Sequence, residues 1–419
     1  MESRIRNIGF ISTRIAGTDG VSLEIKKWTD VLERNRYSCF FFAGEIDRDK
    51  DKSCLVEAAH FEHPEIEEIN KHSFGVTVRP KRISDLIHTI KDKLKESLEA
   101  FIKCFDIDLI IPENALTIPL NIPLGLAVTE LIAETGIPAI AHHHDFYWER
   151  ERFLINSAGD YLHAAFPPNL PSVQHVVLNS IASQTLSYRA GVSNTIVPNV
   201  YDYACPPQSS DPEILNGLRK KAGLKDDDIF ILQPTRIVAR KSIERSIDLV
   251  RLLNPPHPYL VISHASGDEG SDYFKRIKEY ADLVGVRIVP IDHLIVPDYA
   301  VCNCRGKRYP VGDVYQASDI VTYPSEKEGF GNAFLEAIYY NKPIVVNRYA
   351  SFITDIEPKG FDLILINGLV AKETIDSTKA VLSDVSRREQ MVEKNYMLAS
   401  RYFSYERLER IICEIIERF

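Results

Sequence analysis

The chain has 419 residues, 45% of them hydrophobic and 26% charged, a globular make-up that is too long for one ordinary core and points to two domains of roughly 200 residues each. Its formal net charge of −9 argues against a general nucleic-acid partner, because phosphate backbones reward basic surfaces, while leaving room for a small anion in a local basic pocket. Seven cysteines scattered along the chain fit a reducing cytoplasm better than a disulfide framework.

The amino terminus, MESRIRNIGFISTR, has no apolar h-region or small-residue cleavage site, so no secretory signal is expected. Ile5 to Ser12 reads as a buried strand and Val21 to Glu33 as a helix with Val21, Ile25, Trp28 and Leu32 on its inner face. Between them, the turn Arg14 to Gly20 carries Gly17, Asp19 and Gly20 at the carboxyl edge of a sheet. It lacks the full dinucleotide fingerprint. It is either a plain connection that needs two glycines or a loop that approaches a bound ligand.

Ser38 to Ala43 is a strand, and the polar stretch from there to Asn70 has no assignment. Ile83 to Phe105 has the period of a long amphipathic helix on the outside, and Leu109 to Ile111 reads as a short strand ending in Pro112-Glu113-Asn114. Pro123 to Thr135 is a helix closed by Gly136. The apolar region from Leu109 to Ile132 is broken by Pro112, Glu113, Asn114, Asn121 and Glu130, which makes it a poor membrane span.

Pro138 to Ala141 is the next strand, and it runs into His142-His143-His144-Asp145-Phe146-Tyr147-Trp148-Glu149-Arg150-Glu151-Arg152. Binding sites form where polar residues gather at the end of a parallel strand. Three adjacent histidines cannot face one way in an extended segment, so a three-histidine metal site is not expected. Glu149, Arg150 and Arg152 read either as an acceptor-recognition patch or as a solvated loop of mixed charge. His175 to Leu178, Ser180 to Ala190 and Thr195 to Val197 continue as strand, helix and strand. A turn-rich segment follows, with Pro206, Pro207, Ser209, Ser210, Asp211 and Pro212.

The alternation then restarts. Ile229 to Gln233 is a strand, Arg236 lies just past it, and Lys241 opens a helix reaching Leu253. Two cations converging at a carboxyl edge can neutralise a diphosphate; the plainer reading is a basic exposed loop. Strands at Tyr259 to Ser263 and Arg287 to Val289 bracket a helix from Asp272 to Val284. Cys302 and Cys304, one residue apart, are too tightly spaced for the usual zinc pair. Val314 to Ala317 is a short helix. Ile320 to Tyr323 is a strand, Glu328-Gly329-Phe330-Gly331 a loop, Asn332 to Tyr340 a helix with Phe334, Ala337 and Ile338 inward, and Pro343 to Val346 a strand. In this βαβ unit the loop lies where the helix presents unpaired N–H groups, a ready anion site. Glu328 and Glu336 beside that site suit a ligand that also carries hydroxyls, as a nucleotide diphosphate-sugar does. The tail ends in two amphipathic helices, Ser386 to Tyr402 and Tyr405 to Arg418.

Glu328 and Glu336, with seven residues between them in the setting PSEKEGFGNAFLEA followed by KPIVV, resemble the paired-glutamate signature of family 4 glycosyltransferases, which are retaining enzymes of GT-B fold. The resemblance implies two Rossmann-like, doubly wound parallel-sheet α/β domains facing an interdomain cleft. These would be an acceptor-binding domain over residues 1–202, a nucleotide-sugar-binding domain over 203–400, and a last helix, 401–419, crossing back to the first. Pro198-Asn199-Val200-Tyr201-Asp202 is similar to the family's connecting segment, with its usual glycine missing. Between Pro290 and Pro310, where the family holds the nucleobase, this chain is longer and less regular.

Carried over residue by residue, the resemblance implies catalytic roles for His144, Arg236, Lys241 and Glu328, with His142 as the competitor of His144. Donor contacts would come from Gly17, Gly20, Arg236, Lys241, Glu328, Gly329, Phe330, Gly331, Asn332 and Glu336. Acceptor contacts would come from Asp19, Asn114, Asp145, Glu149, Arg150 and Arg152. No tightly bound cofactor and no catalytic metal is expected; the nucleotide diphosphate-sugar is a co-substrate. GDP-mannose stands slightly ahead of UDP-glucose, and the acceptor is a small, anionic glycoside. No nucleic acid and no transmembrane segment is expected, the location is cytoplasmic, and homo-oligomerisation is left open. The alternatives are a GT-B epimerase or phosphorylase, or a catalytically silent sugar-nucleotide-binding protein.

Overall fold

The structure, a computed structural model, describes residues 5–17, 19–253, 258–264, 272–296 and 308–419. It divides into two compact units, Met1–Asn199 together with Tyr405–Phe419, and Val200–Ser404. Cys302 and Cys304 and most of the irregular stretch between Pro290 and Pro310 lie outside the described residues.

In the first unit β1 (Asn7–Ile11), β2 (Ser38–Ala43), β3 (Ser53–Leu55), β4 (Leu109–Pro112), β5 (Ala139–His143), β6 (Val173–Val177) and β7 (Asn194–Ile196) form one sheet in the order β3-β2-β1-β4-β5-β6-β7. Every neighbouring pair is parallel. Parallel strands need crossover helices on both faces, which is why β4 and residues 139–141 of β5 are apolar runs buried on both sides, as is β1 beyond Asn7. The helix Lys81–Phe105 buries Ile83, Ile87, Ile90, Leu94, Leu98 and Phe101, one stripe at steps of three and four. The unassigned stretch before Asn70 holds β3 and a helix, Pro64–Ser73.

The last helix, Tyr405–Ile416, belongs to this unit and packs on the helix Gly20–Arg34. Leu408, Ile411, Ile412, Ile415 and Ile416 are buried, and the Arg34 guanidinium lies 5.0 Å over the Tyr405 ring.

In the second unit β8 (Ile229–Gln233), β9 (Pro258–Ile262), β10 (Ile288–Pro290), β13 (Ile320–Tyr323), β14 (Ile344–Asn347) and β15 (Ile364–Ile366) form a six-stranded sheet ordered β10-β9-β8-β13-β14-β15, again all parallel. A small parallel pair, β11 (Ile295–Val296) and β12 (Tyr309–Pro310), stands apart. The strand β15 and the helix Lys372–Ser383 have no counterpart in the sequence reading.

Each sheet winds outward from its first strand and then reverses, so the order turns between β1 and β4 and between β8 and β13. At such a reversal the chain leaves the two central strands toward opposite faces, and the loops beyond their carboxyl ends part to leave a crevice. Both sheets are doubly wound and parallel, as the sequence predicts. Among the described residues no helix is long and apolar enough to cross a membrane.

Candidate active site

The reversal in the second sheet brings together the loop after β8, with Arg236, Arg240 and Lys241, and the loop after β13, with Glu328 to Gly331. The two loops are pinned to one another: Glu326 N–H donates to Arg240 O at 2.9 Å, and Arg245 Nη1 donates to Pro324 O at 3.1 Å. Lys241 stands in a short 3-10 turn, Ala239–Lys241, that precedes the helix Ile243–Leu253 instead of opening it. Its Nζ donates to Glu328 Oε1 and lies 5.4 Å over the Tyr323 ring. Arg240 Nη1 donates to the other oxygen, Oε2, at 3.0 Å.

The pair is deeply set, with side-chain exposure of 11% for Lys241 and 9% for Glu328. Burial works to raise the Glu328 carboxyl, yet the Lys241 and Arg240 charges beside it hold it below the ordinary carboxylate value. Burial lowers Lys241, and the positive charges of Arg240 and Arg236 push the same way against the pull of Glu328. His264, just past β9, is pushed down to about 4 by burial and then by Arg236 and Lys241. Two cations thus hold one carboxylate, and the Arg236 charge bears on Lys241 and His264 beside them, which leaves this rim with an excess of positive charge.

The loop after β13 is held from below. Ser351 Oγ donates to Glu328 O at 2.9 Å, Tyr349 Oη to Phe330 O at 2.6 Å, and Asn347 Nδ2 to Ser325 O at 2.9 Å. Gly331 caps the helix Asn332–Tyr339 at φ 118°, a backbone shape that L side chains rarely adopt. A Cβ there would also come within 3.0 Å of the Tyr323 and Tyr349 hydroxyls. Gly329 lies between Glu328 and Phe330, and Asn332 opens the helix.

Phe330 is 3% exposed, and its ring packs 5.0 Å from Phe403, so its side chain belongs to the core. Glu336, one turn into the helix, accepts from Tyr315 Oη at 2.7 Å; burial first, and then the Glu336 charge, hold that phenol protonated far above its ordinary range.

The first sheet has its own rim. β5 runs through His142 and His143, two residues beyond the expected strand end, and the alternation of a strand sends them to opposite faces. His143 meets Thr117 Oγ1 and, through Nε2, His175 Nδ1 at 2.9 Å. His142 and His144 turn instead to Glu113, which is fully buried just past β4. Its carboxylate stands 3.0 Å from His142 Nδ1 and 2.9 Å from His144 Nε2. His142 is stacked 4.3 Å from Trp28. Burial works to raise Glu113, but His142 and then His144 draw it down to about 2. Burial works to lower His144, but Glu113 foremost, with Glu24 and Asp145, leaves it raised.

Glu113, His142 and His144 each offer a ligand atom within 4.8 Å of the others, the one such group among the described residues. The carboxylate oxygens lie 3.0 and 2.9 Å from the two nitrogens, the separation of a hydrogen bond. The group is therefore bonded directly, imidazole to carboxylate.

Several expected acceptor residues turn out to be engaged locally. Asp19 is the N-cap of the helix Gly20–Arg34, accepting from Val21 N–H at 3.0 Å and Ser22 Oγ at 2.6 Å and pairing with Arg14 at 3.3 Å. Asp145 accepts from Arg150 Nε at 2.6 Å and from Asn114 Nδ2 at 3.3 Å. Glu149 Oε2 accepts from Phe146 N–H at 2.8 Å, and the Arg152 guanidinium lies 4.6 Å over the Phe153 ring. The patch is thus a self-bonded turn in which Arg150 and Asn114 are only half-buried. Gly17, at φ 75°, donates its N–H to Asp47 Oδ2 at 2.7 Å. Gly20 needs no positive φ, and a Cβ on it would meet nothing within 4 Å.

Sequence reasoning missed Arg240, His264, Tyr315 and Glu113. Arg240 had a signal, being a second cation in the same short turn; the others become visible only when strands far apart in the chain are laid side by side.

Residues 305–397 match the model of the family described as Glycosyl transferases group 1. Mannosylglucosylglycerate synthase of Thermotoga maritima is 33% identical, with 97% of this chain and 98% of that protein aligned. The enzyme of the same name from Petrotoga mobilis is 30% identical over 85% of this chain and 86% of its own. Among solved structures, HepE of Anabaena in complex with UDP-glucose covers 99% of this chain and 100% of its own at a TM-score of 0.66 and 16% identity. Sucrose-phosphate synthase of Thermosynechococcus elongatus covers 99% and 98% at a TM-score of 0.68 and 13% identity; both likenesses concern the fold. With two sheets of GT-B type and a relative one-third identical from end to end, the chain belongs to the glycosyltransferase family that includes mannosylglucosylglycerate synthase, and it is a hexosyltransferase.

Proposed function

We propose that this hexosyltransferase moves a mannosyl group from GDP-mannose, in preference to a glucosyl group from UDP-glucose, onto a hydroxyl of a small glycoside that carries a carboxylate, with retention of anomeric configuration. The observation that carries this reading is the cluster at the β8–β13 reversal, where Arg240 and Lys241 hold the buried Glu328 and the Arg236 charge acts on Lys241 from the same loop, in a chain of net charge −9. So local a positive excess suits a diphosphate, which it also stabilises as it departs with its added negative charge.

The N-terminus of the Asn332–Tyr339 helix adds N–H donors to the same edge. Ionised carboxylates have about four lone-pair sites, so Glu328 can hold Lys241 and Arg240 and still accept from sugar hydroxyls. Glu336, oriented by Tyr315, takes the ribose diol. Held by two cations, Glu328 is a poor nucleophile. The leaving phosphate oxygen is instead the base that receives the acceptor's proton on the face from which it departs, and that geometry retains configuration. With this charge arrangement the diphosphate needs no bound metal. His144 meets the substrate at the edge of the first sheet, where Asn114 and Arg150 are the side chains suited to a glycoside and its carboxylate.

The name shared by the two relatives supports the substrates: a mannosylglucosylglycerate results from adding mannose to glucosylglycerate. Five described cysteines are unpaired, in keeping with work in the cytoplasm. The test is a thermal-shift panel of GDP, UDP and ADP sugars followed by product analysis with glucosylglycerate. A rise in melting temperature selective for GDP-mannose, and an axial mannosyl linkage by NMR, are expected. Selective binding of UDP-glucose, an inverted product, or turnover that needs no acceptor would sink the reading.

A further inference from the structure

We propose that Glu113 is a positioning residue for the transfer: by taking the Nε2–H of His144 it leaves Nδ1 as the atom of that ring which meets the substrate. The proposal rests on the reading that His144 touches substrate, and it adds which nitrogen does so and what holds the ring.

Glu113 is itself tightly held. Its N–H donates to Ile11 O at 2.8 Å, its carbonyl accepts from Ser12 Oγ at 3.1 Å, and its backbone bridges to His142. The carboxylate therefore projects from the β4 end with little freedom. His144 is gripped twice more, by its own N–H to Asn114 Oδ1 at 3.2 Å and by the His142 ring 4.5 Å away, which in turn lies on Trp28. No other hydrogen bond to the His144 ring occurs among the described residues, and its side chain keeps 11% exposure. One nitrogen is thus committed inward, and the second is the only one left for a ligand.

The charged groups around the ring favour its protonated form. Glu113 faces it from β4, Glu24 from the Gly20–Arg34 helix and Asp145 from the loop after β5, while His142 is its titratable neighbour on β5 and Lys27 is paired with Glu24 at 2.6 Å. A ring protonated at both nitrogens offers Nδ1–H as a donor to a sugar oxygen; a neutral ring held at Nε2–H offers only an acceptor. Glu113 therefore fixes both the orientation of the ring and the sign of its contact.

The test uses the full chain with its donor and acceptor, comparing wild type, Glu113→Gln, Glu113→Asp and His144→Ala, together with 15N-histidine NMR of the ring nitrogens. Glu113→Gln should lower kcat by about tenfold to a hundredfold, leave KM for the donor nearly unchanged, and move the alkaline limb of the pH profile to lower pH. Glu113→Asp should recover part of the loss, and it replaces Glu113→Gln if that variant unfolds. The NMR should show Nε2 protonated in wild type and the ring titrating at lower pH without Glu113. A Glu113→Gln profile superimposed on wild type, while His144→Ala is impaired, overturns the proposal. Full activity of His144→Ala overturns instead the reading that His144 touches substrate, and the NMR still decides whether Glu113 sets the ring. One equivalent of divalent metal in the purified protein, lost on Glu113→Gln, would also overturn it.

Discussion

Lys241, Arg240 and Glu328 form one charged unit, so their removal should not be additive. Lys241→Ala takes away the more deeply buried cation of the proposed diphosphate site and leaves Glu328 to Arg240 alone; transfer should fall by roughly two to three orders of magnitude, measured as kcat with saturating donor. Arg240→Ala should cost less, about tenfold, because its guanidinium is 39% exposed against 11% for Lys241. Equal losses for both would show that the deep cation has no special part. A pH prediction follows from Glu113. Its folded value, about 2 against an ordinary 4.5, is depressed, so its stabilisation is fully present above the unfolded value and is lost as pH falls toward the folded one. The stability gap between wild type and Glu113→Gln should be largest above pH 4.5 and below the raised His144 titration, where carboxylate and imidazolium are both charged, up to about 3 kcal/mol, and should close between about pH 4.5 and 2; a gap independent of pH in urea melts would contradict it. The four groups with a fixed spacing or a fixed place after a strand, Arg236, Lys241, Glu328 and Glu336, were legible in the sequence. Glu113 was not, because an acid between a proline and an asparagine says nothing until β5 brings two histidines beside it.

The elements were mostly legible, and the misses have local causes. β3 is a three-residue edge strand and β15 another, too short for alternation to register. The helix Pro64–Ser73 has almost no apolar period, yet its Pro at the first position, early Glu65 and Glu67 and late Lys71 and His72 are start and stop signals that could have revealed it. Two glycines in the predicted loops now part company. Gly331 is demanded by the backbone and by two tyrosine hydroxyls, so Gly331→Ala should destabilise the protein by about 1–3 kcal/mol whatever it does to binding. Gly20 is demanded by neither, and alanine is the better residue in a helix. Gly20→Ala should therefore melt at or slightly above the wild-type temperature while weakening substrate binding, if its open space serves a ligand. Unchanged KM for both substrates would return Gly20 to the status of a plain connection.

At the scale of the molecule the sequence told its story twice, because each unit repeats the same outward winding and reversal, and each reversal collects the side chains that one stretch of sequence cannot show together. What the linear pattern could not convey is how each unit's stability is apportioned along the chain. The first unit is completed by its most distant segment: Leu408, Ile411, Ile412, Ile415 and Ile416 are buried against it. At about 1.5–3 kcal/mol for each fully buried side chain, their loss compares with the whole stability of a domain, about 5–15 kcal/mol. Deleting residues 405–419 should accordingly loosen the first unit while Val200–Ser404 keeps its own cooperative transition. Hydrogen exchange should rise first in the Gly20–Arg34 helix, which loses the helix packed against it, and then in β1 and β2, with protection in β8 and β13 unchanged. Since the Asp19 cap, Glu24 and Trp28 all ride on that helix, the His142–Glu113–His144 group should lose its order in the same variant, and catalysis with it, although no residue of that group has been touched. Native protection of the Gly20–Arg34 helix in the truncated protein would show that the last helix is an appendage and not the final piece of the first unit's core.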